Sequence, residues 1–400
     1  MADSALSDVT VLDLGTDIPG PFCAKHLADY GADVIKVEDP AGGDPARRIG
    51  PFPGDMPHAE KSGVYLHLNT NKRGITLDLK TTTGQGILKE LVKRVDIVIE
   101  NYPPGKMESW GLSYNELSAV NPKLVLTSIT PFGQYGPYKD YKAPEIVAFA
   151  MTTRMFTHGI EEREPLRYSP DAGWFQAGAT AATATMGALF TARMQDIGQH
   201  IDVSAMDCMM GNVDARTLIY EYTKESASRE RLPTGFPGGV YACADGFLVF
   251  AAGADRFFRR LCRAMGHPEI LDDPRFATVQ ERQYHKDEFE AEYFLLWLLE
   301  RTRYEVTEAC QVESVMMAPI FSVEEMMSDP QMIARKFFVE IEHPAAGKQT
   351  YPGNFFRMTE TPWQIRRPAP LLGEHNEEVY CGMLGYSRQD LVRLRGQGVI

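Results

Sequence analysis

Over the first 130 residues, short β-branched runs alternate with stretches of helical spacing. Val9-Thr10-Val11-Leu12-Asp13-Leu14 reads as a strand ending at Gly15, and Pro21 to Tyr30 as a helix stopped by Gly31. Val34-Ile35-Lys36-Val37-Glu38 is a second strand, closed by Asp39-Pro40-Ala41-Gly42-Gly43. Further strands are expected at Ile75–Leu79, Val95–Ile99 and Leu124–Thr127, with helices around 84–94 and 114–120 between the later ones. Nearly continuous apolar strands joined by helical crossovers predict a mostly parallel sheet covered by helices.

Residues 174–194 carry the run Ala177-Gly178-Ala179-Thr180-Ala181-Ala182 and predict a helix whose small side chains let neighbouring backbones approach, hence a buried one. A strand follows at Gln199–Ser204, helical spacing at 205–222, and a Gly/Pro-rich boundary from Pro233 to Gly239. Beyond about 240 the pattern becomes strand and then helices at Arg256–Met265, Glu288–Arg301 and Val306–Glu313. The tail from about 350 reads as extended before a last helix near 374–384.

A length of 400 residues exceeds one small core and predicts two lobes. The net charge of −13 argues against general affinity for nucleic acid or anionic lipid, so a polyanionic ligand needs a local basic patch. The N-terminal Met1-Ala2-Asp3-Ser4 lacks a basic n-region, and no long apolar run follows; a cytoplasmic protein without a membrane span is expected. Cys23, Cys208, Cys243, Cys262, Cys310 and Cys381 form no CxxC pair, so neither a disulfide frame nor a metal site is expected.

Several classes of chemistry lack their motifs. Gly15-Thr16-Asp17-Ile18-Pro19-Gly20 is not GxGxxG and has a proline inside the turn, which argues against a nicotinamide dehydrogenase despite Glu38 at the end of strand two. No P-loop, Ser-His-Asp order or HExxH occurs, and the paired methionines read as core filling.

A set of segments in order carries a resemblance. They are Ile18-Pro19-Gly20-Pro21; Gly31-Ala32-Asp33-Val34-Ile35-Lys36-Val37-Glu38 with Gly43-Asp44; Asn71-Lys72-Arg73-Gly74; and Glu100-Asn101-Tyr102-Pro103-Pro104-Gly105. Gly133-Gln134-Tyr135-Gly136-Pro137, Gly198-Gln199 before Ile201-Asp202-Val203, and Leu372-Gly373-Glu374-His375-Asn376 complete it. Together they resemble the class III CoA-transferase family (CaiB/BaiF type). The resemblance implies an α/β fold with a Rossmann-like, mostly parallel large domain from residues 1–222 and 330–400, and a smaller α+β domain from 223–329. It also implies an interlocked dimer, acyl-CoA as substrate and no permanently bound cofactor.

In that family an aspartate attacks the thioester, an acyl anhydride and then an aspartyl-CoA thioester form, and the incoming acid takes over the CoA. Register with Gly178 and Ala188-Leu189 puts Trp174 at this aspartate's position; Asp171, three residues upstream in Ser169-Pro170-Asp171-Ala172-Gly173, is the possible substitute. Asp171 also reads as an N-cap or turn residue, and Trp174 as core packing. Glu145 matches a family acid near the nucleophile. By resemblance, Leu77, Lys80, Asn101, Tyr102 and Lys142 contact CoA, whereas Asp39 and Ser109 stand where relatives carry arginines. Pro144 replaces the histidine of the racemase branch, which argues against α-proton exchange.

The departures fall at the chemistry while the fold motifs are kept. The chain therefore resembles a supporting, non-catalytic subunit of heteromeric succinyl-CoA:benzylsuccinate-type CoA-transferases, partnered by a catalytic paralogue. The alternative is an active homodimer using Asp171.

Overall fold

The computed structural model describes residues 4–211, 216–226, 229 and 235–400, with only the backbone of Arg216. The chain forms two compact units, one of Met1–Arg229 with Lys336–Ile400 and one of Glu230–Arg335.

The first unit is built on a six-stranded sheet: β1 (Thr10–Asp13), β2 (Asp33–Glu38), β3 (Lys72–Thr76), β4 (Ile97–Glu100), β5 (Val125–Thr130) and β6 (Gln199–Ser204). Its order is β3-β2-β1-β4-β5-β6, and all five pairings are parallel. The expected parallel α/β architecture is thus present. This is a doubly wound order whose direction reverses between β1 and β4, and such a reversal opens a crevice at the carboxyl ends of the strands.

The apolar runs form strands because they are covered on both faces. Val11, Val34, Ile97, Ile99 and Val125 share one cluster with Ala177, Ala181 and Leu189, while Leu12, Ile35, Val98 and Leu126 share another with Leu88, Leu91 and Leu117. The alanine-rich segment is a 24-residue helix, Ala172–Gln195, buried along Ala177, Gly178, Ala181, Ala182, Ala188 and Ala192. It packs on the helix Pro19–Asp29, and Gly178 shows why small residues are required: a Cβ there would lie 2.7 Å from the Pro19 carbonyl oxygen.

Three expectations change. The third strand occupies Lys72–Thr76, not Ile75–Leu79. Lys72 pairs in register with Val34, and its ammonium is buried 2.8 Å from Asp13, so an ion pair draws a polar segment into the sheet. Asp78 instead donates its N–H to the Val399 carbonyl. Ahead of the tail, β10 (Phe338–His343) and β11 (Gly347–Pro352) make an antiparallel hairpin that lies mostly upstream of the extended stretch expected from about 350. The turn of helix at Glu378–Met383 is followed by a further helix, Arg388–Gly396, capped by the reciprocal Ser387/Asp390 box.

The helical reading of 205–222 corresponds to Ala205–Gly211 and Arg216–Thr223, and its intervening residues, like Pro233 and Thr234, lie outside the described residues. The second unit has its own antiparallel sheet, β7 (Gly238–Cys243), β8 (Gly246–Ala251) and β9 (Met317–Pro319). Its core contains Phe258, Phe276, Phe289, Phe294 and Trp297. No helix among the described residues is long and apolar enough to cross a membrane.

Candidate active site

The crevice at the sheet's reversal is closed by a side-chain clamp. Asn101, just past β4, accepts the Thr16 N–H at 2.7 Å and donates to the Thr16 carbonyl at 2.9 Å, tying the loop after β1 to the loop after β4. Gly15 and Gly20 make that loop turn on itself, since a Cβ on Gly15 would sit 2.7 Å from the Gly20 Cα.

Beside the clamp lies a groove of about 300 Å³, lined by Thr16, Asp39, Asp44, Arg48, Leu77, Lys80, Tyr102 and Trp110 among others. Leu77, Lys80 and Tyr102 are therefore brought together, with Asn101 fixing the groove's inner loop. The expected contact Lys142 is exposed and does not line the groove, nor does Ser109, whose hydroxyl donates to the Lys106 carbonyl.

Buried ion pairs support the groove floor. Lys36 sits 2.7 Å from Asp44 and also bonds the Gly15 carbonyl. Burial opposes its charge, but Asp13, Asp44 and Glu38 outweigh that and hold its pKa above the usual lysine value. Lys72 touches Asp13 at 2.8 Å, yet burial prevails and brings its pKa down to about 8. Arg47 forks onto Glu38 at 2.7 and 2.8 Å and donates to the Tyr65 hydroxyl. Burial pushes the Glu38 carboxyl up, but its bonds to Arg47 win and keep it below the usual range. These pairs fix the end of β2 and the turn after it, from which Asp39 and Arg48 project.

The start of the long helix differs. Asp171 is its N-cap residue in left-handed conformation (φ 63°), and its carboxylate makes no capping bond. The capping role passes to Glu145, buried, whose Oε1 accepts the Gly173 N–H at 3.2 Å. Gly173 permits this: a Cβ there would lie 3.0 Å from that oxygen and 2.6 Å from the Met209 sulfur. A carboxylate at a helix N-terminus is favourably placed against the helix dipole.

Trp174, in the first turn, is half-buried against the apolar group of Ile18, Phe22 and Leu68, together with Phe175 and Val64. Its core-packing reading is what the structure displays.

A neighbour that sequence reasoning passed over is Asp17. It is also left-handed (φ 63°), its N–H donates to Asp44 Oδ1 at 2.8 Å, and its own Oδ1 is buried without a partner among the described residues. Burial first, then the charges of Asp44 and Asp171, raise its pKa. Asp171 is thus within electrostatic reach of the loop that lines the groove. The sequence signal was an aspartate in a tight glycine-proline turn, which alone looks like ordinary turn chemistry. Among the described residues no group of three or more His, Cys, Asp or Glu could hold a metal ion.

The profile of CoA-transferase family III matches residues 6–376. The chain belongs to that family. It is 37% identical over 402 residues to a succinyl-CoA–D-citramalate CoA-transferase of Chloroflexus aurantiacus, covering 99% of this chain and 98% of the relative. It is 36% identical to a succinate–glutarate CoA-transferase of Agrobacterium fabrum, covering 94% of each. It is 32% identical to the beta subunit of a succinyl-CoA–L-malate CoA-transferase of Chloroflexus aurantiacus, covering 99% of this chain and 98% of that subunit. The structure of a CaiB/BaiF family protein from Brucella suis superposes with a TM-score of 0.85 at 28% identity, covering 95% of this chain and 99% of that one. As a member of CoA-transferase family III, the chain has relatives named as CoA-transferases of succinyl-CoA or succinate, one of them named as a subunit.

Proposed function

We propose that this chain binds an acyl-CoA such as succinyl-CoA in the groove beside β1 and β4, and serves as the non-nucleophilic subunit of a CoA-transferase. A catalytic paralogue then forms the acyl and CoA adducts as CoA moves to a carboxylic acid. What supports this reading is Trp174, an indole packed among Ile18, Phe22 and Leu68; by the sequence register with the family it stands at the helix position where that chemistry needs a carboxylate. An indole carbon framework has no lone pair able to open a thioester, so the covalent steps fall to another chain. The groove, by contrast, keeps Leu77, Lys80 and Tyr102 together, so CoA binding survives the loss of the nucleophile.

The test is transfer from succinyl-CoA to a panel of carboxylic acids by the purified chain, alone and co-expressed with a family III paralogue from the same genome. The expected result is CoA binding without turnover by the lone chain, and turnover by the pair. Robust transfer by the lone chain that Asp171→Asn abolishes would overturn it.

That outcome would instead establish the second reading, an active homodimer with Asp171 as nucleophile. The left-handed Asp171, unbonded as a cap and electrostatically coupled to Asp17 beside the groove-lining Thr16, is what favours it. Trapping with hydroxylamine after acyl-CoA incubation separates the two, because only a covalent Asp171 adduct gives a modified peptide.

A further inference from the structure

Four carboxylates line the groove (Glu38, Asp39, Asp44, Asp78) and three cations face them (Lys36, Arg48, Lys80). Two carboxylates and one cation are spent inside the fold: Glu38 is held by Arg47, and Asp44 by Lys36. That leaves Asp39 and Asp78 against Arg48 and Lys80. Lys80 is taken as well. Its ammonium lies 2.6 Å from Asp39 Oδ2, and the Ala41 N–H fixes the other oxygen of Asp39 at 2.9 Å. Arg48 is exposed, and one of its N–H groups donates to the Gly42 carbonyl at 2.7 Å. Among the described residues no carboxylate comes within ion-pair distance of its guanidinium.

We propose that Arg48 is the primary phosphate contact of this groove, and that Asp39 is a competing counter-ion which the ligand's phosphate must displace from Lys80. The inference rests on the acyl-CoA-binding reading above and names how that site sets its affinity. The ligand chemistry is that of a phosphate ester with a diphosphate bridge, the only multiply charged part of an acyl-CoA. Arg48 receives it first because its planar fork has donors to spare and no internal anion to leave. Lys80 follows, at the cost of a pair that is 64% exposed on the lysine side and 37% on the aspartate side. Such an exposed pair is weak, so a doubly charged ligand outcompetes it, yet it still subtracts from affinity. The negative end of β2 thereby tunes binding downward, and Arg48, one turn of chain away, restores what Asp39 removes.

The test is calorimetric titration of CoA into the full chain and its variants. Arg48→Ala is expected to weaken binding roughly 10-fold and Arg48→Lys only about 3-fold, since charge survives but the fork does not. Asp39→Asn is expected to tighten binding about 3-fold, and to do nothing in a Lys80→Ala background, because the competition it relieves is then absent. Unchanged affinity on Arg48→Ala, or tightening by Asp39→Asn that persists without Lys80, would overturn the proposal alone. A wild-type chain that binds no CoA would overturn it together with the reading on which it rests.

Discussion

Two ends of one unit treat buried charge in opposite ways. Under β1, β2 and β3, Lys36, Lys72 and Arg47 each meet a carboxylate at 2.7–2.8 Å, and further oxygens take up their other donors: the Gly15 carbonyl for Lys36, the Pro21 carbonyl and Asn69 Oδ1 for Lys72, and the Tyr65 hydroxyl and the Glu60 carboxylate for Arg47. Around the start of helix Ala172–Gln195, Asp17 Oδ1 and Glu145 Oε2 are buried with no partner among the described residues, and Asp171 caps nothing. Buried polar atoms are otherwise almost always paired. The contrast separates a finished scaffold, which shapes the groove, from an unfinished polar site beside it. On the reading proposed above, binding and covalent chemistry are assigned to different elements, so one could be altered while the other stands.

The sharpest way to break that contrast is to unpair the scaffold. Arg47→Ala leaves Glu38 buried without its counter-ion and should cost about 3–5 kcal/mol, read as a lowered urea midpoint. A loss below about 1 kcal/mol would show that the frame is not the rigid part.

Glu100, at the end of β4, probes the boundary between the two ends. Burial, partly offset by Ser128 and the Tyr102 N–H, raises its pKa to about 7. The folded value exceeds the unfolded one, so the stabilisation is fully present below about pH 4.3 and is lost as pH rises through 7, on the order of 3 kcal/mol. Denaturant titrations at pH 5 and pH 8 should therefore differ in wild type, and Glu100→Gln should flatten the difference.

Trp174→Ala removes a half-buried indole from the cluster of Ile18, Phe22 and Leu68 and should cost about 2 kcal/mol in thermal unfolding while leaving CoA affinity unchanged. A loss of CoA binding without a loss of stability would move Trp174 from packing to the groove.

Glu145→Gln should have the smallest effect, below about 1 kcal/mol, because the amide oxygen still accepts the Gly173 N–H and the amide NH2 replaces an Oε2 that has no partner among the described residues. A penalty as large as that of Arg47→Ala would erase the distinction between the two ends.

Much of the scaffold was readable because strands such as those at Val11–Leu12, Ile97–Ile99 and Val125–Leu126 put apolar residues on both faces, and the helix Pro19–Asp29 opens on Pro and stops before Gly31. The Ala/Gly run of the long helix likewise implied close packing, which Gly178 against Pro19 makes concrete. Lys72 was misread: nothing in Asn71-Lys72-Arg73-Gly74 indicates that a lysine enters a sheet until Asp13 is seen beneath it. Arg48 and Asp17 were passed over for the same reason. Each sits in a turn where polar residues are ordinary, and only the fold reveals that one faces a groove and the other lacks a bond. Lys142, expected from its motif position, is exposed and is not among the residues that line the groove.

The sequence by itself determined the alternation of strand and helix, the burial of the alanine-rich helix and the indole at its first turn, since these depend on residue type and local spacing. Only the tertiary structure decided which charges meet. Lys80 and Asp39, Lys36 and Asp44, and Glu145 and Gly173 lie 41, 8 and 28 positions apart in the sequence. Coulomb and hydrogen-bond energies depend on separation in space, and the packing of strands, turns and helices sets those separations.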